Sequence, residues 1–288
     1  MSQTISVGEG KDYTQQIDEK KNNGRFSPVE IPQEGGNDNS IPQQYPVDVK
    51  QSMEISNSVE DESIIKSQIR NGFIRKVYGI VSFQLFFSFF FILICHSKTI
   101  KSFIAHNQAL WTLLFSSSII CFIVSSCVLI FKRELARKVP HNYIILFFVT
   151  LSESIVCATA SLQYSFEIVV ASIILTIAAT LGIIIYSLRS KRDLSSCGMA
   201  LTAFFAQLFF FGFINLFIRS RFLDMLYCLA ATALVGMYLV YDVQLISGKF
   251  GKEYEIDDYI FAAMELYIDI IRLFMQILRI LGRLQRRN

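Results

Sequence analysis

Residues 109–131, ALWTLLFSSSIICFIVSSCVLIF, run for 23 positions without a charged side chain. Coiled as an α-helix at ~1.5 Å per residue, such a run is about 35 Å long, more than the ~30 Å hydrocarbon core of a bilayer. Inside that core no water reaches the backbone N–H and C=O groups. A spanning segment must satisfy them within itself, and a helix does so. Working outward, the pattern recurs on both sides. Val77–Cys95 supplies 19 uncharged positions before it. After it come Tyr143–Gln163, apolar except for Glu153, then Ile168–Leu188 and Leu194–Ile218 with 21 and 25 uncharged positions. Met225–Tyr241 adds 17, ending against Asp242, and Tyr259–Leu278 adds 20 that are interrupted by Glu265, Asp269 and Arg272. The sequence therefore predicts an all-α membrane protein, a bundle of about seven transmembrane helices, the last of which spans or re-enters.

Composition agrees. Charged residues make up 18% of the chain and hydrophobic ones 52%, where a soluble domain carries about 25% charged. The charge is divided unevenly, with a net −7 over residues 1–65 and +10 over 66–288. The N-terminal part is rich in Gln, Asn, Ser and acids, and holds Pro28, Pro32, Pro42 and Pro46. Without apolar periodicity it cannot bury enough surface to offset its ordering entropy. Residues 1–66 are thus expected to be a disordered acidic tail, and 67–288 the transmembrane domain. No basic stretch followed by a short apolar core opens the chain, so the first membrane helix is expected to act as the targeting signal.

Loop charges set the orientation. Thirteen basic residues lie at one set of segment ends: Lys66, Arg70, Arg75 and Lys76; Lys132, Arg133, Arg137 and Lys138; Arg189, Lys191 and Arg192; Lys249 and Lys252. Four lie at the other: Lys98, Lys101, Arg219 and Arg221. The N-terminus is expected in the cytoplasm. Arg283, Arg286 and Arg287 draw the C-terminal end to the same side, whereas seven full spans put it opposite. The basic excess is accounted for by these loops and gives no reason to expect nucleic-acid binding. Cys95, Cys121, Cys127, Cys157, Cys197 and Cys228 form no CxxC pair and read as small apolar packing residues. His96, His106 and His141 lack metal-ligand spacing.

A charge at the centre of a membrane helix costs about 2.5–3.5 kcal/mol on insertion scales, so each one requires an explanation. In the last segment Glu265, Asp269, Arg272, Gln276 and Arg279 are spaced 4, 3, 4 and 3. They form one stripe on one helix face, extended by Asp258 and Arg283, and Asp269 and Arg272 can pair on it. Such a stripe should turn inward, toward other helices or a water-filled path. Asp242 lies roughly 9 Å inside one end of the sixth segment and Asp269 roughly 16 Å from the same side, so contact is plausible within the tolerance of helix ends and tilt. Glu153 is a further intramembrane acid. All of these also have a plain structural reading, as ion pairs or hydrogen-bonded packing residues inside the bundle.

Several stretches resemble the Bax-inhibitor/Lifeguard family, also called the transmembrane Bax inhibitor motif family. Phe73-Ile74-Arg75-Lys76-Val77-Tyr78 is similar to the family's FIRKVY, and Pro140 and Asn142 to its P-x-N before the third helix. Lys191-Arg192-Asp193 is similar to its basic-x-Asp. Tyr241-Asp242-Val243-Gln244-Leu245-Ile246 resembles YDTQLI. Tyr259-Ile260-Phe261-Ala262-Ala263 and Leu266-Tyr267-Ile268-Asp269-Ile270-Ile271 resemble YIFAAL and LYLDII. The resemblance covers roughly residues 70–282. It implies a seven-helix fold with the last helix central. It also implies a pH-sensitive calcium leak across an internal membrane, endoplasmic reticulum or Golgi, and protection from cell death through membrane-protein partners. The family's aspartate pair falls on Asp242 and Asp269, and its preceding acid on Glu265. Val243 departs from the usual Thr, and Arg272 from a neutral residue; a cation there would lower calcium affinity or block the path.

On this reading two carboxylates forced together cannot both ionise cheaply. Sharing a proton, Asp242 and Asp269 close the path between the last two helices; ionised, they repel and open it. Asp242, Asp269 and Glu265, with Glu153 a further candidate, would be transient oxygen ligands for calcium; no resident cofactor is expected. Two other readings stand beside it: a non-conducting regulator that binds other membrane proteins, and a proton-coupled transporter. A retinal protein is excluded, since residues 258–281 contain no Lys. No nucleophile–base pair or phosphate loop suggests an enzyme.

Overall fold

The seven apolar segments each become one helix because each has enough uninterrupted apolar length and no internal proline. The computed structural model describes residues 49–194, 197–218, 220–251 and 253–285. The helices are α1 (Val49–Cys95), α2 (Lys98–His106), α3 (Gln108–Phe131), α4 (Arg133–Arg137), α5 (His141–Ser161), α6 (Phe166–Arg189), α7 (Gly198–Ile218), α8 (Arg221–Ser247) and α9 (Tyr259–Gln285), with a 3₁₀ turn at Ile256–Asp258 before α9. Among the described residues there is no strand. Among the described residues six helices, those over Asp61–Cys95, Gln108–Phe131, His141–Ser161, Phe166–Arg189, Gly198–Asn215 and Phe222–Ser247, are long and apolar enough to cross a membrane. The seventh, α9, is long enough, at about 40 Å for 27 residues, but carries too much charge to face lipid.

Its position removes the difficulty. α9 packs against α5, α6 and α8, and residues such as Ile260, Met264, Tyr267, Ile271, Phe274 and Leu278 are fully or almost fully buried. It is the central helix, wrapped by the others, so most of its side chains meet protein rather than acyl chains, Arg272 being half exposed. It also runs the full length of α8. Arg137 grips Asp258 just before the first turn of α9, while Arg283 in its last turn pairs with Asp224 in the first turn of α8. Phe83, Phe86, Phe209, Phe213 and Phe217 on the outer helices are largely exposed, the arrangement expected where lipid is the solvent.

Two details differ from the sequence expectation. Positions 1–48 of the expected tail lie outside the described residues. From Val49 onward the chain is helical, so α1 begins well before the boundary drawn at residue 66. Glu, Lys and Gln are good helix formers, and extending a helix already nucleated by a membrane segment is easier than starting one. A short helix, α2, also occupies part of the expected loop at Lys98–His106, opened by Ser97, whose Oγ accepts from Ile100 N at 3.4 Å.

Gly282 permits the central helix to pack at its far end. A Cβ at this position would collide with ring atoms of Tyr164, in the turn between α5 and α6. Gly282→Ala is expected to destabilise the protein by about 1–3 kcal/mol through overpacking, read as a lower midpoint of thermal unfolding in detergent. An unchanged midpoint would show that Tyr164 moves aside freely.

Candidate functional site

The polar residues of α8 and α9 converge on one cavity. Asp242 stands one and a half turns before Ser247 on α8, and Asp269 eleven positions into α9; they are 5% and 4% exposed. Their carboxyl groups line one cavity and are near enough for each to feel the other's charge. The sequence put them roughly 7 Å apart in depth. The long 248–258 connection absorbs that offset by letting α9 start farther out than α8 ends. Both side chains line a cavity of about 280 Å³ together with Glu265 and Arg272, and with Phe122 and Ser126 of α3 and Tyr238 and Tyr241 of α8.

Ionised carboxylates only accept hydrogen bonds. A contact between two of them is therefore a bond only when a proton lies between them. Oδ2 of Asp269 is buried without a hydrogen-bond partner, while its Oδ1 accepts from Arg272 Nη1 at 3.3 Å. That Arg272 side chain is 51% exposed, so its charge is partly screened and it compensates the carboxylates incompletely.

Glu265 faces the same cavity from one turn above, and its Oε2 accepts from the hydroxyl of Tyr254. Burial, reinforced by the nearby Asp242 and Glu265 charges, holds the Tyr254 phenol above its ordinary range, so it stays a donor. Tyr254 is itself held. Its main-chain oxygen accepts from Arg70 Nη1 at 2.8 Å, and Arg70 Nη2 donates to Leu245 O at 2.6 Å, with Glu253 3.6 Å away. Arg70 of α1 thus ties the end of α8 to the segment leading into α9. The turn between them requires Gly248, at φ +66°, where a Cβ would press on Glu253 and Arg70. Tyr254→Phe removes one charge-assisted hydrogen bond. It is expected to lower stability by about 1.5–3 kcal/mol, seen as a lower unfolding midpoint in detergent, whereas Tyr241→Phe, another tyrosine of the same cavity, serves as the control.

The remaining predicted residues are dispersed. Glu153 lies on α5, outside the cavity lining, with Oε1 3.8 Å from Cys157 Sγ. It is near enough to Arg272 to feel its charge. Gln276 continues the stripe with Oε1 buried and unpaired. Asp258 belongs to an outer clasp: Arg137 Nε and Nη2 donate to its two oxygens at 2.8 and 2.9 Å, and Arg137 also reaches Glu255. Among the described residues no three His, Cys, Asp or Glu side chains converge in a way that would hold a metal ion.

Pattern reading missed several participants. Gln244, two residues after Asp242, donates to Arg192 O at 2.9 Å and accepts from Leu194 N at 2.8 Å, anchoring the connection between α6 and α7. Deeper in the bundle, Gln84 donates to Thr150 Oγ1 at 2.8 Å, and Ser88 bonds both Tyr267 and Ser154. This network joins α1, α5 and α9 beside the cavity-bearing helix. Asn142 donates to the Tyr259 hydroxyl at 3.1 Å, and Lys76 Nζ sits 3.3 Å over the same ring.

With this geometry in place, the comparisons are informative. A family profile described as "Inhibitor of apoptosis-promoting Bax1" matches residues 70–287. The mouse protein named lifeguard 4 is 32% identical over 221 residues, covering 76% of this chain and 88% of the relative. A vaccinia virus protein named Golgi anti-apoptotic protein is 30% identical over 239 residues, 80% and 96% of the two chains. A Schizosaccharomyces pombe protein named Bax inhibitor 1 is 30% identical over 221 residues, 76% and 79%.

Proposed function

We propose, given that the chain belongs to the Bax-inhibitor/Lifeguard family, that it is a multi-pass regulator of cell death whose working part is a proton-operated latch on a calcium leak. The observation that carries this reading is the buried meeting of Asp242 and Asp269 on one cavity wall, with one carboxylate oxygen lacking any partner. At low pH the two side chains share a proton, bind each other and hold α8 to α9. As pH rises the proton leaves, the two charges repel across a low-dielectric space, and the helices part. Calcium then passes using Asp242, Asp269 and Glu265 as transient oxygen ligands. On this reading it is the cargo.

The end of the bundle that carries Arg70, Arg137 and the 249–258 connection faces the cytoplasm on this reading. The full-length run of α9 supports a C-terminus on the opposite side. The Arg283–Asp224 pair neutralises one of the charges that pull the other way. The names of the relatives, among them a Golgi anti-apoptotic protein, support an internal membrane, Golgi or endoplasmic reticulum, and a regulator rather than an enzyme. One observation favours a second reading, a non-conducting regulator that acts on partner membrane proteins: Arg272 places a cation beside Asp269. Purified protein in liposomes separates the two. The channel reading requires calcium release that rises with pH in protein-containing vesicles; release no faster than from empty vesicles at every pH would leave only the regulator.

A further inference from the structure

A second cavity, of about 510 Å³, lies between α1, α6 and α9, on the side of the central helix away from the aspartates. Its walls are almost wholly apolar, and no charged side chain lines it. Four hydroxyl side chains are the exception, Tyr78, Ser82, Thr176 and Thr180, of which Ser82 is exposed. Tyr78 OH and Thr180 Oγ1 both line the cavity, and both are buried without a hydrogen-bond partner. Thr180 is 6% exposed. Neighbouring Thr176 bonds back to Ser172 O at 2.7 Å, as helical threonines commonly do, whereas Thr180 does not. An unpaired hydroxyl in a medium without water carries a full desolvation penalty, and two in one cavity ask for a common partner.

We infer that this cavity is a binding site for a membrane-dissolved sterol whose single hydroxyl bonds Tyr78 and Thr180. Three features select that chemistry. The volume falls within the range of small-molecule sites. The absence of lining charge gives a phosphate or carboxylate head nothing to pair with, while a neutral hydroxyl can donate to one side chain and accept from the other. The wall is aromatic on the α1 side, where Phe86 and Phe90 stack at 6.0 Å between ring centroids and 8° between planes and Phe89 lies beside them, a rigid lining that suits a rigid ring system. The hydroxyl end is also at the right depth. Tyr78 follows Lys76 by two residues, where the charged stretch of α1 gives way to its apolar run, and the apolar wall continues toward Phe90 and Ile173. The ligand would touch Leu266 and Ile270, the residues directly after Glu265 and Asp269, though the inference does not depend on whether the protein conducts.

The test is photolabelling of the full chain in liposomes with a photoreactive cholesterol analogue. Labelled peptides are expected from α1 around Tyr78 and α6 around Thr180. Excess cholesterol should compete, and excess phosphatidylcholine or diacylglycerol should not. The double variant Tyr78→Phe, Thr180→Val keeps shape and loses only hydroxyls. It should reduce the competable labelling about tenfold, as two lost hydrogen bonds imply, with an unfolding midpoint no lower than wild type. Labelling that is scattered, equally displaced by diacylglycerol, or unchanged in the double variant would overturn the assignment.

Discussion

Liposomes carrying Asp269→Asn or Asp242→Asn protein are expected to release calcium slowly and at a rate that no longer depends on pH. On the latch reading the closed state binds one proton more than the open state. The equilibrium between them can therefore change by up to about tenfold per pH unit, or ~1.4 kcal/mol. The sign follows directly: the closed form is favoured while the proton is present and is lost as rising pH removes it. An asparagine amide donates a hydrogen bond to the remaining carboxylate without needing that proton. The contact then persists at all pH values, and the slope should fall to less than about twofold over the range in which wild-type protein responds. Either variant retaining the wild-type slope would show that the pair is not the sensor.

Replacing Arg272 by Gln is expected to raise calcium release at alkaline pH by at least about tenfold. The Arg272 guanidinium lies 3.3 Å from Asp269 Oδ1, on the cavity wall that calcium would use. At an effective dielectric near 20, a unit charge a few ångströms away is worth several kcal/mol, and the effect doubles for a divalent ion. Screening of the half-exposed side chain reduces this, but a residue of more than 1.4 kcal/mol, a tenfold change, is left. Stability should hardly change, because an exposed arginine contributes about 0–1 kcal/mol to such a pair. Flux in vesicles and the unfolding midpoint in detergent together check both halves. Equal flux in the two proteins would remove Arg272 from the path.

The fold was legible because lipid imposes a demand that uncharged length alone can meet. All seven segments became helices, and the charged stripe of the last one could only be accommodated at the centre of the bundle. Charge cost singled out Asp242 and Asp269 individually, since charges in a membrane segment are expensive enough to require partners; their pairing came from the family resemblance, and the structure places both on one cavity. What remained hidden were contacts made between distant stretches. Arg70 read as an orientation signal. Yet it belongs to a buried 3-4 stripe on α1 that continues through Phe73, Val77, Val81, Gln84, Ser88, Ile92 and Cys95. A polar residue in register with an apolar stripe was the available sign that Arg70, Gln84 and Ser88 point inward. Tyr254 gave no such sign, because its role depends on how the 248–258 connection folds back on Glu265. Glu153 was a candidate ligand by depth; it comes near enough to Arg272 to feel its charge but does not line the cavity, and helical periodicity does not specify which neighbour a face meets.

Infrared spectroscopy of the reconstituted protein, titrated through the pH range of calcium release, addresses the latch most directly. A carbonyl band of a protonated, buried carboxylic acid should be present where release is slow. It should vanish as release rises, and be missing from Asp242→Asn and Asp269→Asn proteins. Closed vesicles in which no such band appears, or a band that survives both substitutions, would contradict a proton shared between these two aspartates.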